Sequence, residues 1–132
     1  MNTTFQDLED EHNPRNGQVL SDRPGVLALL SELRIKRPPF MCQFVGENGY
    51  NLTVGVDHDF GSVQHSANDG MPPYLMATGP SADEHEMEFA VGGTATPIDG
   101  RYRLSFGIVQ EVVATFVATG RRSDSVKWEE LE

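Results

Sequence analysis

The sequence predicts an α+β domain: an antiparallel meander sheet of five or six strands, with an N-terminal and a C-terminal helix packed on it. Three observations lead there. Between Phe40 and Val91, apolar residues alternate in short runs separated by Gly, Asn, Asp and Pro. On either side of that stretch lies a segment whose apolar residues recur at helical spacing. The length, 132 residues, suits one packed core and is too short for two.

Residues 1–20 are polar and rich in Asp, Glu and Asn, with a turn at Asn13-Pro14-Arg15-Asn16-Gly17. They read as a flexible acidic arm, with room for a short strand near Phe5, ahead of a single domain over 21–132. Ser21 or Asp22 can cap the first helix, and Pro24 is tolerated in its first turn. Val26, Leu29, Leu30 and Leu33 share one face, Glu32 and Lys36 point away, and Pro38-Pro39 ends it.

Strands follow. Phe40, Cys42 and Phe44 alternate with Met41, Gln43 and Val45, and the Asn48-Gly49 pair signals a hairpin into Leu52, Val54 and Val56. Asp57-His58-Asp59-Phe60-Gly61 is a polar turn into Ser62–Ser66. A loop over 67–73 leads to Tyr74–Thr78, and a second loop over 79–85 to Met87, Phe89 and Val91. Gly92-Gly93 suggests a bulge or close backbone approach. Thr94–Leu104 adds an edge strand broken at Asp99-Gly100. The last helix is capped by Ser105, carries Ile108, Val109, Val112, Val113, Phe116 and Val117, and has Glu111 as its only charge. It ends at Gly120, with Arg121 and Arg122 complementing its dipole. The tail from Ser123 holds the only tryptophan.

Composition narrows the function. The net charge is −10, and such a surface repels phosphate backbones, which argues against direct nucleic-acid binding. It steers association toward a basic partner, or simply keeps the protein soluble. No apolar run approaches the ~20 residues that cross a bilayer, so no membrane partner is expected. Met1–Asp10 lacks the features of a signal peptide. A single cysteine, Cys42, suits a reducing compartment. The expected location is cytoplasmic.

Catalytic constellations are sparse. His58 and His65, flanked by Asp57 and Asp59, supply residue types for a metal or acid/base site, yet no second ligand pair follows at matching spacing. A small hydrolase or metal enzyme built on them is one rival reading. A solvated loop is the simpler account of Asp-His-Asp, and of His85 between Glu84 and Glu86. Cys42, in an apolar strand, reads as structural. No cofactor or metal is expected. The acidic loops stand out: Asp83, Glu84, Glu86 and Glu88 in one, with Asp57, Asp59 and Asp69 in others. They form either a solvated face or a partner-binding patch. Trp128, with Glu129, Glu130 and Glu132, either packs back on the core or contacts a partner. An adaptor or chaperone for some other basic protein is the second rival.

Gly61-Ser62-Val63-Gln64-His65, Pro73-Tyr74-Leu75, Glu88-Phe89 with Gly92-Gly93-Thr94, Gly120-Arg121-Arg122, and Val126-Lys127-Trp128-Glu129-Glu130 occur in that order. From about residue 40 onward the chain thereby resembles the first-numbered family of immunity proteins of bacterial polymorphic toxin systems. The resemblance implies a non-enzymatic antidote that binds a cognate toxin domain as a one-to-one complex and blocks its active site. The resemblance further implies a toxin of the zinc-dependent nucleic-acid cytidine deaminase superfamily, with which that family is typically associated, and whose pocket must attract phosphate and is expected to be basic. The zinc would belong to the toxin, because the H-x-E and P-C-x-x-C ligands are missing here. On this reading the candidate toxin-binding residues are Asp57, His58, Asp59, Asp69, Asp83, Glu84, Glu86, Trp128, Glu129 and Glu130.

Overall fold

The computed structural model describes residues 1–131. Its strands are β1 (Thr3–Asp7), β2 (Val19–Leu20), β3 (Phe40–Gly46), β4 (Tyr50–Val56), β5 (Phe60–Ala67), β6 (Tyr74–Thr78), β7 (Met87–Val91), β8 (Thr94–Ile98), β9 (Leu104–Ser105) and β10 (Lys127–Leu131). Its helices are α1 (Arg23–Leu33) and α2 (Phe106–Thr119), with a 3₁₀ turn at Gly100–Tyr102. The α+β class and the two flanking helices are as predicted. The sheet is larger than predicted, with ten strands: seven run in the order β10-β6-β5-β4-β3-β1-β2, β7 pairs with β3 and β8, and β9 pairs with β5.

The antiparallel meander holds from β3 to β6. Its inward residues are the alternating ones read from sequence: Phe40, Cys42 and Phe44 on β3, and Leu52, Val54 and Val56 on β4, all buried. Both helices cover this face. Val26, Leu29, Leu30 and Leu33 of α1 and Val109, Val112, Val113, Phe116 and Val117 of α2 are buried against it. Arg23 of α1 bridges Glu111 of α2 at 2.8 Å. Asp22 caps α1 by accepting from Gly25 N at 2.9 Å. Ser105 holds the N-cap position of α2 without a capping bond from its hydroxyl. The carbonyl of Asp59 instead takes the Phe106 N–H at 3.0 Å, which fastens the β4–β5 turn to the helix start.

Three local readings change. The first twenty residues, expected as a loose arm with room for a short strand near Phe5, do hold that strand as β1, but it is paired between β2 and β3 with Phe5 fully buried, so the segment is part of the sheet. Asp7 is buried too, and its carboxylate accepts from Glu9 N, Asp10 N and Asn13 Nδ2 at 2.8–2.9 Å, so the acidic turn is stitched from within. The meander also breaks after β6. The β7–β8 hairpin crosses to the other face, where β7 meets β3 in parallel at Phe40–Ala90 and Met41, Met87 and Phe89 form a second apolar cluster. Gly55 makes this possible, because a Cβ there would meet the Phe89 ring at 2.7–2.8 Å. Lastly, Gly92 and Gly93, at φ 57° and 82°, form the two-residue turn of that hairpin rather than a bulge.

Candidate functional site

The acidic residues sort themselves by strand register. In β5 and β6, His65 pairs with Leu75, so the β4–β5 turn and the 79–86 loop lie at one end of the sheet. The β3–β4 hairpin and the 68–73 loop lie at the other. Asp57, His58, Asp59, Asp83, Glu84 and Glu86 therefore share an end, while Asp69 is at the opposite one.

The 3₁₀ turn at Gly100–Tyr102 organises this acidic end. The carbonyl of Gly100 accepts from Asp83 N at 2.9 Å. A side chain at position 100 would strike the carbonyls of Asp83 and His85, so glycine is needed for that approach. Arg101, from the same turn, reaches β10 and holds both oxygens of Glu129, with a closest contact of 2.7 Å. Arg103 lies over the Phe60 ring at 3.8 Å, next to the Asp57–Asp59 turn. One short segment thus touches all three carboxylate-bearing regions.

The carboxylates there differ in availability. Asp57 pairs with Arg37 at 3.3 Å, and Asp59 with Arg34 at 3.6 Å. Arg34 Nε also donates to the His58 carbonyl at 2.6 Å. Glu129 is engaged by Arg101. Asp83 accepts from the His85 ring and backbone at 3.0 and 3.1 Å, and the His85 side-chain bond holds its carboxyl below the usual range. Glu84 and Glu86 are exposed and have no ion pair among the described residues. They are the carboxylates freest to meet a partner.

His58 and His65 are not brought together. His58 is exposed in its turn, with Nδ1 2.9 Å from Asp59, whereas His65 is buried on the helix-covered face near the other end of β5. Among the described residues, no three His, Cys, Asp or Glu side chains are grouped to hold a metal. Burial pushes the Cys42 thiol well up, with Asp7 adding to the shift, so it is held as a thiol.

Trp128 and Glu130 leave the acidic group for a second reason. In β10, Trp128 pairs with Ala77, Glu129 with Met76 and Glu130 with Leu75, so Glu129 faces away from its two neighbours. Glu132 lies outside the described residues. Trp128 packs back onto the core and donates from Nε1 to the Ser123 carbonyl at 3.0 Å. It lines a cleft of about 800 Å³ at the hairpin end, together with Tyr50, His65, Pro72, Pro73, Arg121 and Arg122. His65 stacks on Tyr50, with ring centroids 5.0 Å apart, and meets Trp128 edge-on at 6.0 Å. Burial first, and the Arg122 charge second, lower the His65 imidazole to about 4.

Sequence reasoning missed this cleft. Its members are scattered from residue 48 to 128 and meet only through strand register. The available signal was that His65, Pro73, Arg121, Arg122 and Trp128 all fall within the ordered motifs of the sequence.

The family model of the immunity protein Imm1 matches residues 18–130. The chain belongs to that family. The match starts well before residue 40 and includes α1, which the motifs in the sequence had left out. No curated protein matches the chain. Among the described residues, no helix is long and apolar enough to cross a membrane.

Proposed function

We propose that this immunity protein acts as a non-enzymatic cytoplasmic antidote, binding a cognate zinc-dependent cytidine deaminase toxin one-to-one and blocking its active site. The family match over residues 18–130 carries the reading. The acidic end supports it. A deaminase pocket that receives an extruded or single-stranded base needs a rim that attracts phosphate, and exposed carboxylates on a held loop can occupy the phosphate positions. Glu84 and Glu86 are the foremost contacts, with Asp83, His58 and Asp59 beside them. Asp57 and Glu129 work mainly by positioning, since each is already held by an arginine.

The experiment is calorimetry of the purified protein against the toxin domain encoded beside it, paired with a deamination assay. Inhibition inside a cell requires a nanomolar or tighter constant, about −12 kcal/mol. Binding is expected at one-to-one stoichiometry, with deamination restored by excess nucleic acid. A micromolar constant, or tight binding that leaves deamination intact, contradicts the proposal.

A further inference from the structure

The chain has eight arginines, and most of them serve the fold. Five bridge carboxylates: Arg15, Arg23, Arg34, Arg37 and Arg101. Arg103 stacks on Phe60. Arg121 and Arg122 remain, adjacent and exposed, with no ion pair among the described residues of a chain that carries twenty Asp and Glu. A helix C-terminus presents the equivalent of roughly half a negative charge, so two full positive charges exceed what the α2 dipole asks for. Their backbone is held. Gly120 N–H donates to Phe116 at 2.7 Å, Asn48 Nδ2 to the Gly120 carbonyl at 3.0 Å, and Arg121 N–H to Thr119 Oγ1 at 3.1 Å.

These arginines edge the cleft whose floor is the Tyr50–His65 stack and Trp128. Its size falls in the usual range of ligand sites. We infer that it is a docking slot for an extended segment of the toxin in which an aromatic side chain sits next to carboxylates. The ring would rest on the exposed side of Tyr50, which His65 backs, and the guanidinium forks would take the carboxylates.

A peptide segment fits better than a nucleotide. The cleft opens at the carbonyl end of α2 and includes Asp124 in its lining; both oppose any anion, but both can accept from the backbone N–H groups that a peptide supplies and a phosphate lacks. Pro72 and Pro73 give an apolar wall suited to side chains. β10 is the terminal strand of the sheet, so its outer edge can accept an added strand. The identity of the partner rests on the antidote reading above; the chemistry of the slot does not.

Trp128 is the only tryptophan, so its emission reports on the cleft. The probes are acetyl-Glu-Phe-Glu-amide, its Gln-Phe-Gln counterpart and AMP, titrated into the wild type and into Arg121→Gln/Arg122→Gln. The glutamate peptide is expected to change Trp128 emission saturably. Affinity should fall roughly tenfold with the glutamine peptide or the double variant, as when a charge-assisted hydrogen bond is lost. AMP should bind more weakly than the glutamate peptide. No emission change, equal affinity for both peptides, or tighter binding of AMP overturns the slot. A melting curve checks that the variant folds, and Tyr50→Leu offers a second route to the same loss. Against the toxin domain itself, the double arginine variant should dissociate roughly tenfold faster. Unchanged dissociation removes the toxin as the source of the segment. A toxin that fails to bind wild type sinks the antidote reading, while the peptide titration still decides the chemistry.

Discussion

The two ends of the sheet are charged and built in opposite ways. At one end, carboxylates stand on loops gathered by a 3₁₀ turn, and the arginines among them serve as internal ties to Asp57, Asp59 and Glu129. At the other, aromatic rings form a floor and two arginines have no ion pair among the described residues. A net charge of −10 therefore describes neither end. The difference teaches that bulk charge tells which partner is attracted from afar, whereas the placement of ties tells which groups are free to touch it. On the proposed antidote reading, the two ends would take different energetic roles: exposed rim charge would govern encounter, and a recessed aromatic cleft would govern how long the complex lasts.

The largest expected effect lies beneath the cleft. Phe116 is buried in the core and meets His65 edge-on at 5.9 Å. Phe116→Ala should cost roughly 3–5 kcal/mol, a large share of a small domain's stability, and should loosen the aromatic floor while leaving the acidic loops in place. Chemical denaturation measures it. A midpoint that barely moves would mean that α2 is not packed as described.

At the acidic end the corresponding probe is Gly100→Ala. The added methyl would press on the backbone carbonyls of Asp83 and His85, an overpacking expected to cost about 1–3 kcal/mol. Hydrogen exchange should rise in residues 83–86 and stay unchanged around Trp128. Faster exchange at both ends would dissolve the separation between them.

A smaller effect distinguishes the ends by pH. The unfolded chain protonates its histidines near 6.5, but folded His65 resists down to about 4. Between those values the unfolded state holds the extra proton, so stability falls as pH drops. The slope is at most about 1.4 kcal/mol per pH unit. Glu32, held low by its bond to Arg15, and Asp83 start from 4.5 and 3.8 and act only at lower pH. His65→Phe should flatten the stability profile between pH 6.5 and 5. An unchanged slope would show that the imidazole is hydrated.

The sequence revealed what local pattern controls and concealed what pairing controls. Alternation in Phe40–Val56 and helical spacing in Val26–Leu33 and Ile108–Val117 were sufficient, because each face buries apolar residues in step with its period. β1 has the same alternation in burial, yet two of its inward positions are Thr3 and Asp7, and polar residues hide the period. β10 exists because it pairs with β6, and no apolar alternation announces Lys127–Leu131. The candidate site was half legible. Loop acidity picked out residues 57–59 and 83–86, and register placed them together. It also sent Asp69, Trp128 and Glu130 elsewhere.

The most direct test of the account is the association rate of Glu84→Gln/Glu86→Gln with the toxin domain, measured by stopped flow at low and high salt. The two carboxylates are exposed and free of ion pairs among the described residues, so their removal should leave stability within about 0.5 kcal/mol of wild type. Asp57→Asn/Asp59→Asn, already tied to Arg37 and Arg34, should slow association less. Steering acts over a Debye length of about 8 Å at physiological ionic strength. The account predicts that Glu84→Gln/Glu86→Gln binds several-fold more slowly at low salt and converges with wild type as salt rises. A variant that associates and protects like wild type at every salt concentration would contradict it, and would assign these carboxylates to solvent alone.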